Sequence, residues 1–293
     1  FCMDYSGEAI GNPENVWATE TDFSSEVTTL NGSDFNPLFF SDFASLYWYK
    51  AMVKTAQEHC LYSRFFQGAL AIEDQGGQAT AIAADLSRAD SASELITESI
   101  NVTGGLTCLV NNASLFVNDD ILSFNSEGFN SMMAVNLCTP VLLSQAFSEK
   151  LQESSDGVII NLLDQKLVNP NPDFLSYTLS KYGLNGLTTM LAMALGPRVR
   201  VCGVAPGLVL PSADQTRDQF SIVHDRTPLE RGATVFDIAS AVRYLVSATA
   251  VTGEILLVDG GQHLVGSTRD VMFAKTKNHS DEVQFFNDDE NGK

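Results

Sequence analysis

Basic side chains are scarce in this sequence: 17 Lys and Arg stand against 36 Asp and Glu, a formal charge of −19 over 293 residues. Gripping a phosphate backbone takes clustered cations, so the charge argues against a nucleic-acid partner. The acidity reads instead as a matter of solubility or of a salty milieu. His59, His224, His263 and His279 are scattered, which supports neither a metal site nor a Ser-His-Asp triad. Cys2, Cys60, Cys108, Cys138 and Cys202 show no metal or redox spacing. They are expected to be reduced, buried and inert, as suits a cytoplasmic protein. No apolar run reaches the roughly 18 residues that span a bilayer. Nor does a basic stretch open the chain as a secretory signal would, so no membrane partner is expected.

What is present is enough apolar material, 44% of the chain, for one large core. From Gly68 onward the pattern is regular. A helix end stopping at Gly76-Gly77 is followed by an expected strand over 78–86, a helix over 89–102 and an apolar strand over 106–111. A helix over 127–151, a strand over 157–163 and a strand over 198–205 ending in Pro206-Gly207 come next. Thr234 and Asp237 spell a capping box that opens a helix to about Val246, before a last strand running into Asp259-Gly260-Gly261. Strands that are apolar without alternation suit a parallel sheet covered on both faces. The segment 208–231 is polar and interrupted by proline, and is expected to be mobile. From Val265 the chain loses periodicity and is expected to be a loosely ordered tail, 265–293.

The most informative stretch runs from Asp164 to Lys181. It reads as the end of a buried strand, a Pro/Asn loop over 169–172, and a helix from about Ser176. Tyr177 and Lys181 are four apart and share one helix face. An ammonium beside a phenol favours the phenolate, drawing down a group that ordinarily ionises at about pH 10. Tyr177 is thus a candidate general acid for a substrate taking up hydride. With seven tyrosines in the chain the pair means little by itself; its weight comes from the strand, loop and helix around it.

The motifs together, Asn-Asn-Ala-Ser at 111–114, Asn136 in Val-Asn-Leu-Cys-Thr-Pro, Tyr177-x-x-x-Lys181, Pro206-Gly207 and Asp259-Gly260-Gly261, resemble the short-chain dehydrogenase/reductase family over about residues 67 to 264. The resemblance implies an α/β fold, a single Rossmann-like doubly wound parallel sheet flanked by helices. It implies NADPH, rather than NADH, as cofactor and a small-molecule substrate, with a homodimer or homotetramer as the assembly. Asp164, Tyr177, Lys181 and Asn136 fall at catalytic positions. Asp85, Leu86, Asn112, Ala113, Ser114, Tyr177, Lys181, Pro206 and Gly207 fall at positions that line the cofactor. Asp164 stands where most of the family has serine, and with Phe116 it resembles the pteridine reductases, where the aromatic stacks on a flat substrate. The expected chemistry is hydride addition to a C=N or C=O of a pterin-like molecule. Each residue also has a plainer reading. Asp85 would cap the next helix, Asn112 brace neighbouring strands, Phe116 fill the core, Asn136 bond at a bend before Pro140, and Asp164 cap the loop beyond its strand.

Residues 1–66 do not follow the family. A helix is expected over 41–64, with Ser41 as its cap. The glycine-rich turn that lets a pyrophosphate approach a helix N-terminus should fall near Asn31-Gly32, where one glycine of three is present. Ser6 to Gly11 holds part of the pattern, but Pro13 stands in place of its last glycine and the run lies too far upstream of Asp85. The alternative to an enzyme is therefore a catalytically silent relative that keeps the sheet and serves as a structural or interaction subunit.

Overall fold

The computed structural model describes residues 78–210, 220, 224 and 227–273. The expected N-terminal segment, its helix over 41–64 and the stop at Gly76-Gly77 lie outside the described residues. Within them, four strands form one parallel sheet in the order β1 (Cys108–Asn111), β2 (Gly157–Leu162), β3 (Val199–Pro206) and β4 (Ile255–Val258). Asn111 is in register with Asn161, and Ile160 with Cys202. Gly203 pairs with Ile255.

Both faces of this sheet are covered, and β2 shows how. Ile159 turns to one side and joins Leu95 and Ile96 of α1 (Ser91–Thr103), Leu143 and Phe147 of α3 (Thr139–Lys150), and Val201. Leu191, Ala192 and Leu195 of α4 (Leu175–Leu195) close that side. Val158, Ile160 and Leu162 point the other way, onto Val242 and Leu245 of α5 (Val235–Ser247). Every residue of β2 is buried, as the unbroken apolar run predicts. Each such side chain contributes about 1.5–3 kcal/mol from leaving water. The capping box is formed: the Thr234 hydroxyl accepts from the Asp237 amide at 3.3 Å, and the Asp237 carboxylate accepts from the Thr234 amide at 2.8 Å.

Three expectations change. The segment 78–86 is not a strand among the described residues; it shows only an isolated bridge at Asp85, although Ile82, Ala84 and Leu86 pack onto the core. The helix expected over 127–151 is α2 (Ser126–Met133), a π-turn (Ala134–Cys138) and α3 in succession. Pro140 has no N–H to give to the carbonyl four residues back, and the wider turn absorbs that gap. The tail, expected to be loose from Val265, is docked as far as Phe273 and ends in a 3-10 turn (Val271–Phe273). Asp270 there is buried and paired with Lys166 at 2.6 Å; residues 274–293 lie outside the described part. Most of the 208–231 segment also lies outside it, but Thr227 is buried and bonds the Arg231 carbonyl at 2.7 Å.

Candidate active site

The carboxyl ends of β1, β2 and β3 carry the residues singled out in the sequence, as open α/β sheets require of a ligand site. Asp164 follows β2 directly, and its two carboxylate oxygens do different work. Oδ1 accepts from the Lys166 amide at 2.8 Å and caps a 3-10 turn (Gln165–Leu167), so the plain capping reading holds. Oδ2 accepts from the Tyr177 hydroxyl at 2.8 Å. Burial pushes the Asp164 carboxyl above its ordinary value; the Lys166 amide, the Tyr177 hydroxyl and the Lys181 and Lys166 charges pull against it.

Tyr177 lies in the first turn of α4, only 2% exposed. Lys181 shares its face one turn on, with Nζ 5.4 Å from the phenol ring centre, and donates to the Leu162 carbonyl at 2.8 Å. That bond fixes the ammonium at the end of β2, between the phenol and the sheet.

Asn136 sits in the π-turn, a device that frequently marks functional positions. Its Oδ1 accepts from the Leu115 amide at 2.7 Å and its Nδ2 donates to the Leu115 carbonyl at 2.9 Å. The same Nδ2 donates to the Ser180 hydroxyl at 3.0 Å, which in turn donates to the Tyr177 carbonyl at 2.6 Å. Asn136 therefore ties the loop after β1 to the helix that carries Tyr177. Ser180, the link, has no signature that a sequence reading would pick out.

Phe116 is half-buried and parallel to Phe174, with centroids 4.2 Å apart, and meets Tyr177 edge-on at 4.6 Å. Phe174 was not foreseen as a site residue. It precedes α4 with φ 57° and ψ 50°, a left-handed conformation that costs a bulky side chain about 1–3 kcal/mol. Asp119 was missed as well. Its carbonyl accepts from the Leu175 amide at 3.1 Å and its carboxylate from the Ser176 amide at 3.0 Å and from the Ser176 hydroxyl, so it caps α4 across 57 residues of sequence.

A small cleft is lined by Leu86, Asn111, Asn112, Ala113, Val135 and Thr139 among others. Asp85 does not cap α1, whose N-cap is Asp90; it holds a local turn by accepting from the Ser87 amide at 3.0 Å. The Leu86 side chain is buried at 2% exposure, while its carbonyl accepts from Thr139 at 2.6 Å. A brace between neighbouring strands is made by Asn111, which donates to Asn161 at 2.8 Å, and Asn161 in turn donates to Thr188 at 2.9 Å. Asn111 Oδ1 is buried beside that cleft with no hydrogen-bond partner among the described residues. Ser114 donates to the Leu115 carbonyl at 3.3 Å. Pro206 ends β3, and Gly207 must be glycine for packing, because a Cβ there would lie 2.6 Å from that of Asp259.

The cysteines divide. Burial pushes the Cys108 thiol up to about 12 and raises that of Cys202, whereas Cys138, expected to be buried, is exposed. Among the described residues no cluster of His, Cys, Asp and Glu could hold a metal, and no helix is long and apolar enough to cross a membrane.

A family model described as enoyl-(acyl carrier protein) reductase matches residues 63–263. Glucose 1-dehydrogenase of Gluconobacter oxydans is 31% identical over 200 residues, 65% of this chain and 75% of that one. Two crystal structures are similar over most of their length. FolM alternative dihydrofolate reductase 1 of Brucella canis, complexed with NADP, shares 37% identity at a TM-score of 0.67, over 71% of this chain and 82% of its own. Its counterpart from Brucella suis, also with NADP, shares 35% at 0.69, over 76% and 88%.

Proposed function

The chain belongs to the short-chain dehydrogenase/reductase family, and from that premise we propose that it is an NADPH-dependent reductase of a flat, pterin-like small molecule, acting on a C=N or C=O bond. The observation that carries this reading is the 2.8 Å bond between the Tyr177 hydroxyl and a buried Asp164, with Lys181 fixed one helical turn away.

The residues present suit a dinucleotide. The cleft at the carboxyl end of β1 has an apolar floor at Leu86 and Val135, a polar rim at Asn112 and a buried acceptor, Asn111 Oδ1, still to be satisfied. Asp85 and Leu86 would hold its adenine, the backbone of Asn112, Ala113 and Ser114 its nicotinamide ribose, and Tyr177, Lys181, Pro206 and Gly207 its nicotinamide end. The position expected for the glycine-rich turn that would receive the pyrophosphate, near Asn31-Gly32 with one glycine of three present, lies outside the described residues. When bound, NADPH supplies a hydride to the substrate carbon.

Everything else in the proposed reaction belongs to the chain. The Tyr177 hydroxyl gives a proton to the substrate nitrogen or oxygen as charge develops there. Lys181 stabilises the phenolate left behind. Burial favours the protonated form of Asp164, which gives its own proton to the phenolate and regains one from solvent between turnovers; a serine at this position would be a poorer donor. Asn136 holds the loop after β1 and the helix that carries Tyr177 at a fixed separation. Phe116, half-buried, edge-on to the phenol and backed by the buried Phe174, offers an aromatic surface that favours a planar substrate. The two Brucella proteins, dihydrofolate reductases by name and holding NADP, point in the same direction.

The expected assembly is a homodimer or homotetramer. Leu179, Tyr182, Met190 and Met193 leave an apolar stripe on α4 facing outward, with Met193 81% exposed. Nothing in the described residues favours the silent-relative alternative. The deciding experiment is titration of NADPH followed by its fluorescence, then reduction of a dihydropterin. Saturable binding with turnover supports the reading, and no binding at millimolar cofactor overturns it.

A further inference from the structure

Asp164 and Tyr177 are thirteen residues apart, and the loop between them is fastened to residues 265–273 at Lys166, Asn169, Asp173 and Phe174. Asn169 donates to the Val265 carbonyl at 3.1 Å. Lys166 Nζ, itself 2% exposed, binds Asp270 at 2.6 Å and Asn171 at 2.8 Å. Asp173, 5% exposed, receives Arg269 Nε on both oxygens, at 3.0 and 2.8 Å, and the Asp270 amide at 2.7 Å. Phe273 lies over Phe174 at 6.1 Å, Arg269 over Phe273 at 5.0 Å, and Met272 packs onto the cluster of Met132, Phe174 and Tyr177.

These fastenings converge on one residue. Phe174 holds its left-handed backbone only if something over-determines it. Phe116 and Phe273 flank its ring, Lys166 Nζ stands 5.3 Å from the ring centre, and the residue before it, Asp173, is the anchor for Arg269 and Asp270. That conformation also sets the direction in which α4 begins. A relaxation of Phe174 to negative φ would swing the first turn of the helix and carry the phenol off Asp164.

We propose that residues 265–273 form a clasp that positions the catalytic phenol, with Arg269 and Asp270 as positioning residues acting through Asp173, Lys166 and Phe174. The proposal rests on the reductase reading for its kinetic readout. None of residues 265–273 lines the cleft at the carboxyl end of β1, so release of the clasp misplaces the proton donor and leaves most of the cofactor's contacts in place. Asp119, which caps α4 from the opposite side, keeps the helix itself intact when the clasp opens.

The test uses the full chain with Arg269→Met, the conservative Arg269→Lys, and the isosteric Asp270→Asn in case the first variant is too mild. Three quantities are measured: NADPH affinity, the pH profile of kcat and of kcat/KM for a dihydropterin, and amide exchange at 174–178. The clasp predicts that Arg269→Met and Asp270→Asn keep wild-type NADPH affinity, lose about tenfold to a hundredfold in kcat, shift the pH profile and speed exchange at 174–178. Arg269→Lys should recover part of the loss. Unchanged kcat and pH profile in both variants, with exchange at 269–273 raised, overturns the proposal. If the wild-type protein binds NADPH but reduces nothing, the reductase reading fails. The clasp is then judged on exchange alone: faster exchange at 174–178 in the variants supports it, and unchanged exchange overturns it.

Discussion

Replacing Asp164 by asparagine is the most informative single change, because the side chain keeps its shape and loses only its charge and one acceptor. Oδ1 can continue to accept from the Lys166 amide, so the 3-10 turn survives. The other position then presents N–H₂ to the Tyr177 hydroxyl, which now donates to a carboxylate at 2.8 Å and would have to turn round. Losing a hydrogen bond to a charged group costs about 1.5–3 kcal/mol, and losing assistance to proton transfer costs about 10²–10⁴ in rate. We expect kcat for dihydropterin reduction to fall by roughly a hundredfold or more, with NADPH affinity little changed. Stability moves in a defined direction too. Because burial raises the Asp164 carboxyl in the folded protein, its proton is held more tightly folded than unfolded. Its stabilising contribution is full below the ordinary carboxyl range and is lost as pH rises through the raised value. Tyr177, Lys181 and Lys166 are the ionisable groups around it, and they remain in the variant. Denaturant unfolding of the two proteins across that range gives a difference curve free of the other carboxylates. The wild type should lose stability with rising pH relative to Asp164→Asn. A flat difference curve, or a variant with unchanged kcat, refutes the assigned role.

The remaining predictions concern other parts of the site. Tyr177→Phe should bind NADPH as the wild type does and lose about 10²–10⁴ in turnover; retained turnover in a steady-state assay would remove it as proton donor. Asn136→Ala leaves the Leu115 amide and carbonyl without their partner. It should destabilise the fold by about 1–3 kcal/mol in urea unfolding, with a larger relative loss in kcat than in KM. Gly207→Ala places a Cβ 2.6 Å from that of Asp259; overpacking of about 1–3 kcal/mol should lower the melting temperature. Among Cys108, Cys138 and Cys202, a thiol reagent at neutral pH should label Cys138 in the folded protein and spare the other two, as mass spectrometry of peptides would show.

The sheet was legible in the sequence because its strands are rich in apolar residues without polar alternation over most of their length, and β2 and β3 lie within a residue of their expected bounds. The capping box at Thr234 was legible for the same local reason. The segment 78–86 was misread because apolar periodicity reports burial, and Ile82 and Ala84 are partly buried without forming a ladder there. The π-turn at Asn136 was hidden because the sequence around it has ordinary helical spacing, and Pro140 alone hinted at a disturbance. Asp164, Tyr177 and Lys181 could be found because helix and strand geometry fixes their relation locally. Asp119, Phe174, Arg269 and Asp270 could not, since each acts on the site through contacts with residues remote in sequence or through a backbone angle that no residue type announces.

The account turns on proton delivery by Tyr177 to a substrate reduced by NADPH. Its most direct test is to follow the loss of reduced-nicotinamide absorbance with a dihydropterin, in wild type and in Tyr177→Phe, at saturating cofactor. Turnover in the wild type that collapses in the variant while both proteins bind NADPH equally is the predicted result. Equal turnover in the two proteins would contradict it.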